Sequence, residues 1–359
     1  MTKEIAKKPA MNPFPRTALP GKKSGRRFIH TAGAVSLCTI ILLVLSAGCL
    51  GTSAATLPAS VGTAPYPRII CLSSDAAELL VIIGAGDHVT GVPDSLIRHQ
   101  PELYRLLPNA QSIGDAKKPD NEKIITLRPD IILFISAMRP STADKWEAAG
   151  IRVLPLECHK AEDLPAAARM LGHLTGHTEQ ARQYAAFCEK ILALVSSRIG
   201  QDPASRQRIY FESYTDYVAY GNISAADSLT GLLKAESITG LVFFNATRVS
   251  SEWITDQDPE IIIKSVIPDD TKTLEGEHTR MLERTGFSKL RAVKTGRVYV
   301  ISGNLLFSPH APVGTLFLAK ALYPEKFADV QPESVLKEYA DTYLPGTDQQ
   351  PAMYPVPWE

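Results

Sequence analysis

Residues 68–92 read RIICLSSDAAELLVIIGAGDHVTGV. This stretch opens with a β-rich apolar run, Arg68–Leu72, continues through an apolar segment of helical length, Asp75–Ile83, and ends in a second β-rich run, Val89–Val92. A strand, a helix and a strand in this order predict parallel strands, because the helix carries the chain back to the edge where the first strand began. Residues 68–92 therefore indicate an α/β fold.

The alternation continues towards the C-terminus. Several of the later strands are continuously apolar, as is typical of strands covered on both faces. Further strands are predicted at Asp130–Ile135, Arg152–Leu156, Arg208–Glu212, Glu260–Ile267 and Arg297–Ile301. Helices are predicted at Glu122–Leu127, Ala143–Ala149 and Ser228–Leu233, then from Ser308 through Leu322 and over Pro332–Tyr343.

The segment from Ala161 to Gly200 breaks this rhythm, because it contains no strand pattern. It predicts one or two long helices, with Gly172 and Gly176 marking a turn and Thr178 as the N-cap of the second helix. The predicted fold is therefore α/β, with two Rossmann-like lobes of central parallel sheet joined by a long rigid α-helix and a ligand cleft between the lobes. Such a helical strut predicts little hinge motion.

The predicted boundaries follow from these patterns. Residues 67–160 form the N-terminal lobe, 161–206 the helical strut, 207–345 the C-terminal lobe and 346–359 a tail. With 38 basic and 38 acidic residues in 359, the chain lacks the basic excess of a nucleic-acid-binding protein. Its hydrophobic fraction of 45% is that of a folded domain.

The N-terminal 49 residues predict export. A basic flank ending at Arg27 precedes an apolar run, and small residues then lead to Cys49. This order resembles a lipoprotein signal, with cleavage before Cys49, lipid attachment there and a flexible linker over 50–66. The alternative is an uncleaved membrane anchor. Both place the folded part outside the cytoplasmic membrane.

Several segments in the same order resemble the class III substrate-binding proteins of ABC importers for iron-siderophores, haem and cobalamin. They are residues 68–92, Pro119–Ile124, Leu127–Leu133, Val249–Glu252, Asp258–Ile263, Val293–Val300 and Leu318–Phe327. The resemblance implies a monomeric binding protein with no intrinsic cofactor. Its ligand would be an iron or cobalt chelate and its partner an ABC permease dimer with a cytoplasmic ATPase.

The resemblance also implies two docking residues. Members of the family present one glutamate on each lobe to arginines of the permease, and Glu122 and Glu236 stand at the matching positions. In this chain Lys234 and Ala235 replace the Gly-Gly that usually precedes the second glutamate. Charge pairing at two separated points would fix the orientation of the complex.

Residues in loops that follow predicted strands are the candidates for ligand binding. Aromatic faces could pack on a macrocycle or catecholate, basic groups could pair with carboxylates, and a histidine could coordinate haem iron. The candidates of the first lobe are Ser74, Asp94, Arg98, Lys117, Lys118 and Arg139, and those of the second are Tyr214, Tyr217, Tyr220, Arg248, Trp253, His278, Arg280 and His310.

Two other functions are open alternatives. A binder of bare zinc or manganese would need convergent histidines and carboxylates, whereas the eight histidines are not clustered. An enzyme on a similar scaffold would need a catalytic motif. Gly84 and Gly86 lie after a helix and before a strand, whereas a dinucleotide fingerprint lies between a strand and a helix.

Overall fold

The computed structural model describes residues 65–200, 206–240, 246–268, 272–347 and 352–358. Every strand predicted from the sequence forms within one residue of its predicted ends, and five further short strands join them. The strands are β1 Ile69–Cys71, β2 Val89–Val92, β3 Gln111–Ser112, β4 Ile131–Phe134, β5 Arg152–Pro155, β6 Arg208–Glu212, β7 Val218–Tyr220, β8 Glu236–Ser237, β9 Ala246–Arg248, β10 Ile261–Val266, β11 Val298–Ser302 and β12 Met353–Tyr354.

Helices follow most of the strands. Several begin at a residue whose side chain accepts a backbone N–H of the first turn: Ser73, Asp120, Ser224, Ser250 and Thr273. The helices are α1 Ser74–Ile82, α2 Asp94–His99, α3 Pro101–Arg105, α4 Asn121–Leu127, α5 Ala143–Ala148, α6 Leu164–Thr175, α7 Thr178–Ile199, α8 Ala225–Leu232, α9 Ser251–Gln257, α10 Leu274–Leu282, α11 Arg291–Lys294, α12 Gly303–Leu306, α13 Ala311–Leu322 and α14 Pro332–Tyr343.

The strands form two sheets. The first is parallel throughout, in the order β3-β2-β1-β4-β5. The second has the order β12-β11-β10-β6-β7-β9, with β8 also paired to β6. Its centre, β6, β10 and β11, is parallel, whereas β7 and β12 run antiparallel to their neighbours. The two-lobed α/β fold is confirmed, and the segment expected to be a tail adds β12 to the second sheet.

Each lobe has an equivalent arginine that links the start of a central strand to the neighbouring strand and to the end of a helix. In the first lobe the backbone N–H of Arg68 donates to the carboxylate of Asp130 at 2.9 Å, while its side chain donates to the carbonyl of the last residue of α4. In the second lobe Arg208 donates in the same way to Glu260, at 3.0 Å, and to the carbonyl that ends α9. The two lobes are thus built around equivalent strand pairs, β1–β4 and β6–β10.

The strand-free segment folds as two helices, with Gly176 between them in the left-handed region at φ 83°. The prediction for Gly172 is wrong, because it lies inside α6. A Cβ there would come within 2.4 Å of the Ala181 Cβ, so glycine allows α6 and α7 to approach closely. The N-cap prediction is also wrong by one residue, since His177 is the cap and Thr178 begins α7.

Helix α7 is embedded in a core that both lobes share. Its buried side chains include Tyr184, Cys188 and Ile191, and they belong to a single apolar cluster with residues of α1 and of α13. The Tyr184 hydroxyl donates to the carbonyl of Pro309 at 2.7 Å. The strut is therefore packed on both lobes along much of its length, which restricts their relative movement.

Candidate ligand-binding site

The carboxyl ends of the parallel strands display apolar side chains to solvent. Among the described residues five large apolar side chains are exposed, and three of them lie within four residues of the end of a parallel strand: Met138 after β4, Tyr214 after β6 and Ile267 after β10, exposed to 45%, 39% and 49%. Met138 belongs to the first lobe and the other two to the second. Ligands of α/β proteins commonly bind at this edge of the sheet, so these side chains lie where a ligand is expected.

Helix α1 carries two acidic groups from the first lobe towards the second. Asp75 lies in its first turn, and Glu78 is one turn further on and only 6% exposed. Burial, then the charge of Glu78, raises the pKa of Asp75 to about 7, although a hydrogen bond with Ser73 acts in the opposite direction. The cleft therefore contains a carboxyl group that titrates near neutral pH.

Tyr214 stands opposite this helix in an aromatic group of the second lobe. Although the residue as a whole is exposed, burial around its hydroxyl, the neighbouring Tyr220 and the carboxyl of Asp75 raise the pKa of Tyr214, so its hydroxyl stays protonated. Phe307 packs against Tyr220, with ring centres 5.5 Å apart, and against Tyr214 at 6.5 Å. Together with Phe211, these rings form an aromatic wall.

Glycine at position 303 is what lets the Tyr214 ring take this place. A Cβ at Gly303 would lie 2.3 Å from Cε1 of Tyr214, far inside contact distance. Gly303 directly follows β11, so the ring of Tyr214 lies at the carboxyl end of that strand.

A buried ionic network fixes the loop that bears Tyr214. Glu212, fully buried, receives 2.8 Å hydrogen bonds from Lys264 and Arg284, which also bind Asp216 at 3.0 and 2.8 Å. The Tyr210 hydroxyl donates to the same Glu212 carboxylate at 2.7 Å. Because the charges are paired and hydrogen-bonded on both sides, the loop from 213 to 217 is held in one conformation.

Three of the six arginines and lysines predicted to bind ligand already have partners. Arg139 pairs with Asp144 at 2.7 Å and with Glu147 at 2.9 Å, which raises its pKa. Arg280 pairs with Asp216 and with Glu277, and Arg248 donates to the carbonyl of Asp216 at 3.2 Å. Arg98, Lys117 and Lys118 are exposed. The charges of Arg139 and Arg280 are thus balanced by neighbouring acids.

Most of the other residues predicted to bind ligand contact neighbouring side chains, whereas Ser74 lies at the start of a helix. The ring centre of Tyr217 lies 4.4 Å from the guanidinium carbon of Arg284. Tyr217 and Trp253 both pack against an apolar cluster of the second lobe that includes Phe287. Asp94 begins α2 and accepts a short hydrogen bond from Ser112. His278 packs on Tyr354, and burial lowers its pKa. Ser74 begins α1 at the cleft edge.

His310 lines a cavity of about 320 Å³ between the lobes. Its Nδ1 is 2.9 Å from Oε1 of Glu78 and 3.1 Å from the hydroxyl of Ser308. Sequence reasoning found His310 but missed Glu78 and Asp75. The available signal was a pair of acids three residues apart inside a helix that is otherwise almost entirely apolar.

Glu122 and Glu236 are both exposed. Glu122 lies in the first turn of α4, and Glu236 begins β8, opposite Arg208. Lys234, which replaces a glycine of the family pattern, has φ 51° and so occupies the left-handed region that favours glycine.

A family model described as periplasmic binding protein matches residues 69–305, two thirds of the chain. The chain belongs to the periplasmic binding protein family. Such proteins are extracytoplasmic binding components of transport systems and not enzymes. A TroA-like periplasmic binding protein from Veillonella parvula has the same fold, with a TM-score of 0.70 and 21% identity over 81% of this chain and 95% of that one.

Among its curated relatives, this periplasmic binding protein is 24% identical to an uncharacterized ABC transporter substrate-binding lipoprotein of Bacillus subtilis, over 73% of this chain and 82% of that one. It is also 24% identical to a cobalamin-binding protein of Halobacterium salinarum, over 67% and 65%. A molybdate-binding protein of Haemophilus influenzae is 20% identical over 76% and 84%.

The predicted lipidation residue, Cys49, and the apolar run before it lie outside the described residues. In the part of the chain that the structure describes, no helix is both long enough and apolar enough to cross a membrane.

Proposed function

We propose that this periplasmic binding protein is the substrate-binding component of an ABC importer and that it captures a metal chelate in the cleft between its lobes. The observation that carries the proposal is the exposure of Met138, Tyr214 and Ile267 at the strand ends of both lobes. Exposed apolar side chains at the strand ends of both lobes favour a ligand with large apolar faces. The similarity to an ABC transporter substrate-binding lipoprotein supports the transport role.

The cleft suits a chelate better than a bare metal ion. Within the described residues no group of three or more His, Cys, Asp or Glu side chains could hold a metal ion. A structural or transported zinc would need about four such donors. A chelate brings its own donors and needs from the protein only packing and a few hydrogen bonds.

The test is a titration of the purified folded part, beginning near Thr63. Haem, cyanocobalamin and ferric hydroxamates and catecholates are added, with zinc and molybdate as comparison ligands, and Trp and Tyr fluorescence is followed. Saturable submicromolar binding of one chelate is expected. Ile267→Ala should weaken it about tenfold through lost contact area, whereas Ile223→Ala, at least as exposed but in the loop before α8, should not. Binding of molybdate or zinc alone would refute the chelate.

We also propose that Glu122 and Glu236 dock this protein on the permease, because both are exposed and free to meet arginines. Glu122→Lys and Glu236→Lys should each reduce stimulation of the transporter ATPase and slow complex formation, while chelate binding stays unchanged. Glu325→Lys, an exposed acid in the turn before α14, is the control. Equal loss with the control would show a general charge effect.

We propose that lipidation at Cys49 tethers the protein to the outer face of the cytoplasmic membrane. Native protein should partition into detergent and carry a lipid mass on an N-terminal Cys49, whereas Cys49→Ser should lose both. Detergent partition by both forms, with the whole N-terminus retained, would support the uncleaved anchor instead.

A further inference from the structure

The cavity between the lobes is walled by polar groups from both. The first lobe contributes Glu78, Gln100 and Glu102, and the second contributes Asn304, Ser308 and His310. Among the described residues of this lining there is no lysine or arginine, and the basic side chains are those of His99 and His310. Its volume of about 320 Å³ is roughly that of ten liquid waters, enough for a short alkyl chain with a polar end group.

Glu78 brings an unpaired acceptor to this cavity. The residue is 94% buried, and its Oε1 accepts no hydrogen bond. His310 Nδ1 lies within ion-pair distance but without hydrogen-bond geometry, and that nitrogen is shared with the hydroxyl of Ser308. A buried carboxylate oxygen in this state is stabilised by any donor that enters.

Two further buried polar atoms in or beside the cavity also form no hydrogen bond of normal geometry. The Tyr339 hydroxyl is fully buried and lies near the Glu78 carboxyl without a hydrogen bond of normal geometry, and its ring lies 4.5 Å from that of His310. Oε1 of Gln100 is also buried and unpaired. Burial and then the charge of Glu78 raise the pKa of Tyr339 well above its usual value, so this hydroxyl remains neutral.

We propose that this cavity receives a primary ammonium arm of the bound chelate, and that the protein therefore prefers chelates with a cationic arm over neutral or anionic ones. Oε1 of Glu78 and Oε1 of Gln100 only accept hydrogen bonds, and the first belongs to a carboxyl group. An ammonium group, which only donates hydrogen bonds, therefore complements them. Asp75, one turn before Glu78 on α1, adds a second acidic group on the same side of the cleft. This inference rests on the proposed function and names the ligand class more closely.

The experiment uses one linear ferric trihydroxamate in three forms that differ only at the end of the arm: free ammonium, acetylated and succinylated. Their charges at this end are positive, zero and negative. The ammonium form is expected to bind at least tenfold more tightly than the acetylated form, and the succinylated form most weakly. Binding is followed by quenching of tyrosine and tryptophan fluorescence.

Variants test whether the cavity is responsible. Glu78→Gln keeps the shape and removes the charge, so it should lower the affinity for the ammonium form towards that for the acetylated form and thus abolish the preference. Tyr339→Phe removes only the hydroxyl and should reduce the preference in part, and it keeps the test open should the first variant unfold. Glu325→Gln, outside the cleft, is the control and should leave the preference unchanged.

The outcomes separate this inference from the proposed function. Equal affinity for the three forms, a preference for the succinylated form, or a preference that survives Glu78→Gln in a folded protein would overturn the inference alone. So would failure of all three forms when another chelate binds. Failure of every chelate in a folded protein would overturn the proposed function itself.

Discussion

At the residue scale, the carboxyl group of Asp75 lies where ionisation is unfavourable. Its folded-state pKa is about 7, raised by burial and by Glu78, whereas an unfolded aspartate ionises near pH ~4. Between these values the native protein binds more protons than the unfolded chain. The free energy of unfolding therefore falls as pH rises from about 4 to 7, and the loss is complete above pH 7.

We expect Asp75→Asn to change stability little at pH 4 and to raise the free energy of unfolding by on the order of 2 kcal/mol at pH 8. This figure is smaller than the pKa shift alone would give, because the side chain is partly accessible to water. Urea unfolding at both pH values measures it. Asp341→Asn, an exposed member of a pair with Lys337, is the control. A gain that does not depend on pH would contradict the assignment.

Gly303 is a second residue whose identity bears on the cleft. Gly303→Ala places a methyl group 2.3 Å from the Tyr214 ring and should displace it, so chelate affinity should fall about tenfold with the fold intact. Fluorescence titration and circular dichroism measure the two effects. Gly231→Ala, in α8 with no atom within 4 Å of the new methyl, should leave affinity unchanged and slightly stabilise the helix. Unaltered affinity in the Gly303 variant would remove Tyr214 from the site.

Sequence reasoning located part of this site and missed part for a physical reason. Tyr214 and His310 were identified because each lies in a loop that follows a predicted strand. Met138 and Ile267 were missed, since a single exposed apolar residue in a loop has no periodicity. Arg139 and Arg280 were expected to be open to ligand, and only the folded chain shows the acids that pair with them.

At the element scale, the central strands were predictable because each contains three or more consecutive apolar residues, as in β4 and in the first half of β10. The short strands β3, β7, β8, β9 and β12 were not, since two or three residues carry too little pattern and their pairing depends on distant neighbours. Gly172 was misinterpreted for a similar reason. A glycine within a helix pattern looks like a turn until the neighbouring helix is known.

The loop between β6 and β7 depends on the ionic network beneath it. Glu212→Gln removes the buried carboxylate that Lys264 and Arg284 share and leaves them only the partly exposed Asp216, which should lower the free energy of unfolding by about 3 kcal/mol. Urea unfolding measures this loss. Glu179→Gln, which breaks an exposed pair with Arg182, should have little effect.

The double variant Glu212→Leu with Lys264→Met distinguishes pairing from packing. If desolvated charge is the cause, replacing two members of the network by apolar groups should restore part of the stability that Glu212→Gln loses. Tyr214 should also lose its fixed position in Glu212→Gln, so chelate affinity should fall at temperatures where the protein is still folded. Full stability in Glu212→Gln would show that water reaches the network.

At the scale of the whole molecule, the two lobes are joined by more than their connecting chain. Helix α7 shares one apolar cluster with α1 of the first lobe and α13 of the second. Separating the lobes would expose that cluster, at about 1.5–3 kcal/mol for each large side chain uncovered. Uncovering only five would cost roughly 10 kcal/mol, close to the whole binding free energy of a nanomolar ligand, about 12 kcal/mol.

Ligand binding should therefore close the cleft by side-chain and loop adjustment, not by rotation of the lobes. We expect the radius of gyration and the distance distribution from solution scattering to be the same, within error, for the free and the chelate-saturated protein. Tyr184→Ala, which removes a buried ring and its 2.7 Å hydrogen bond to Pro309, should loosen the strut and make a ligand-induced compaction measurable. Marked compaction of the unaltered protein would mean that the shared core opens in the free state, because ligand energy could not otherwise supply the cost.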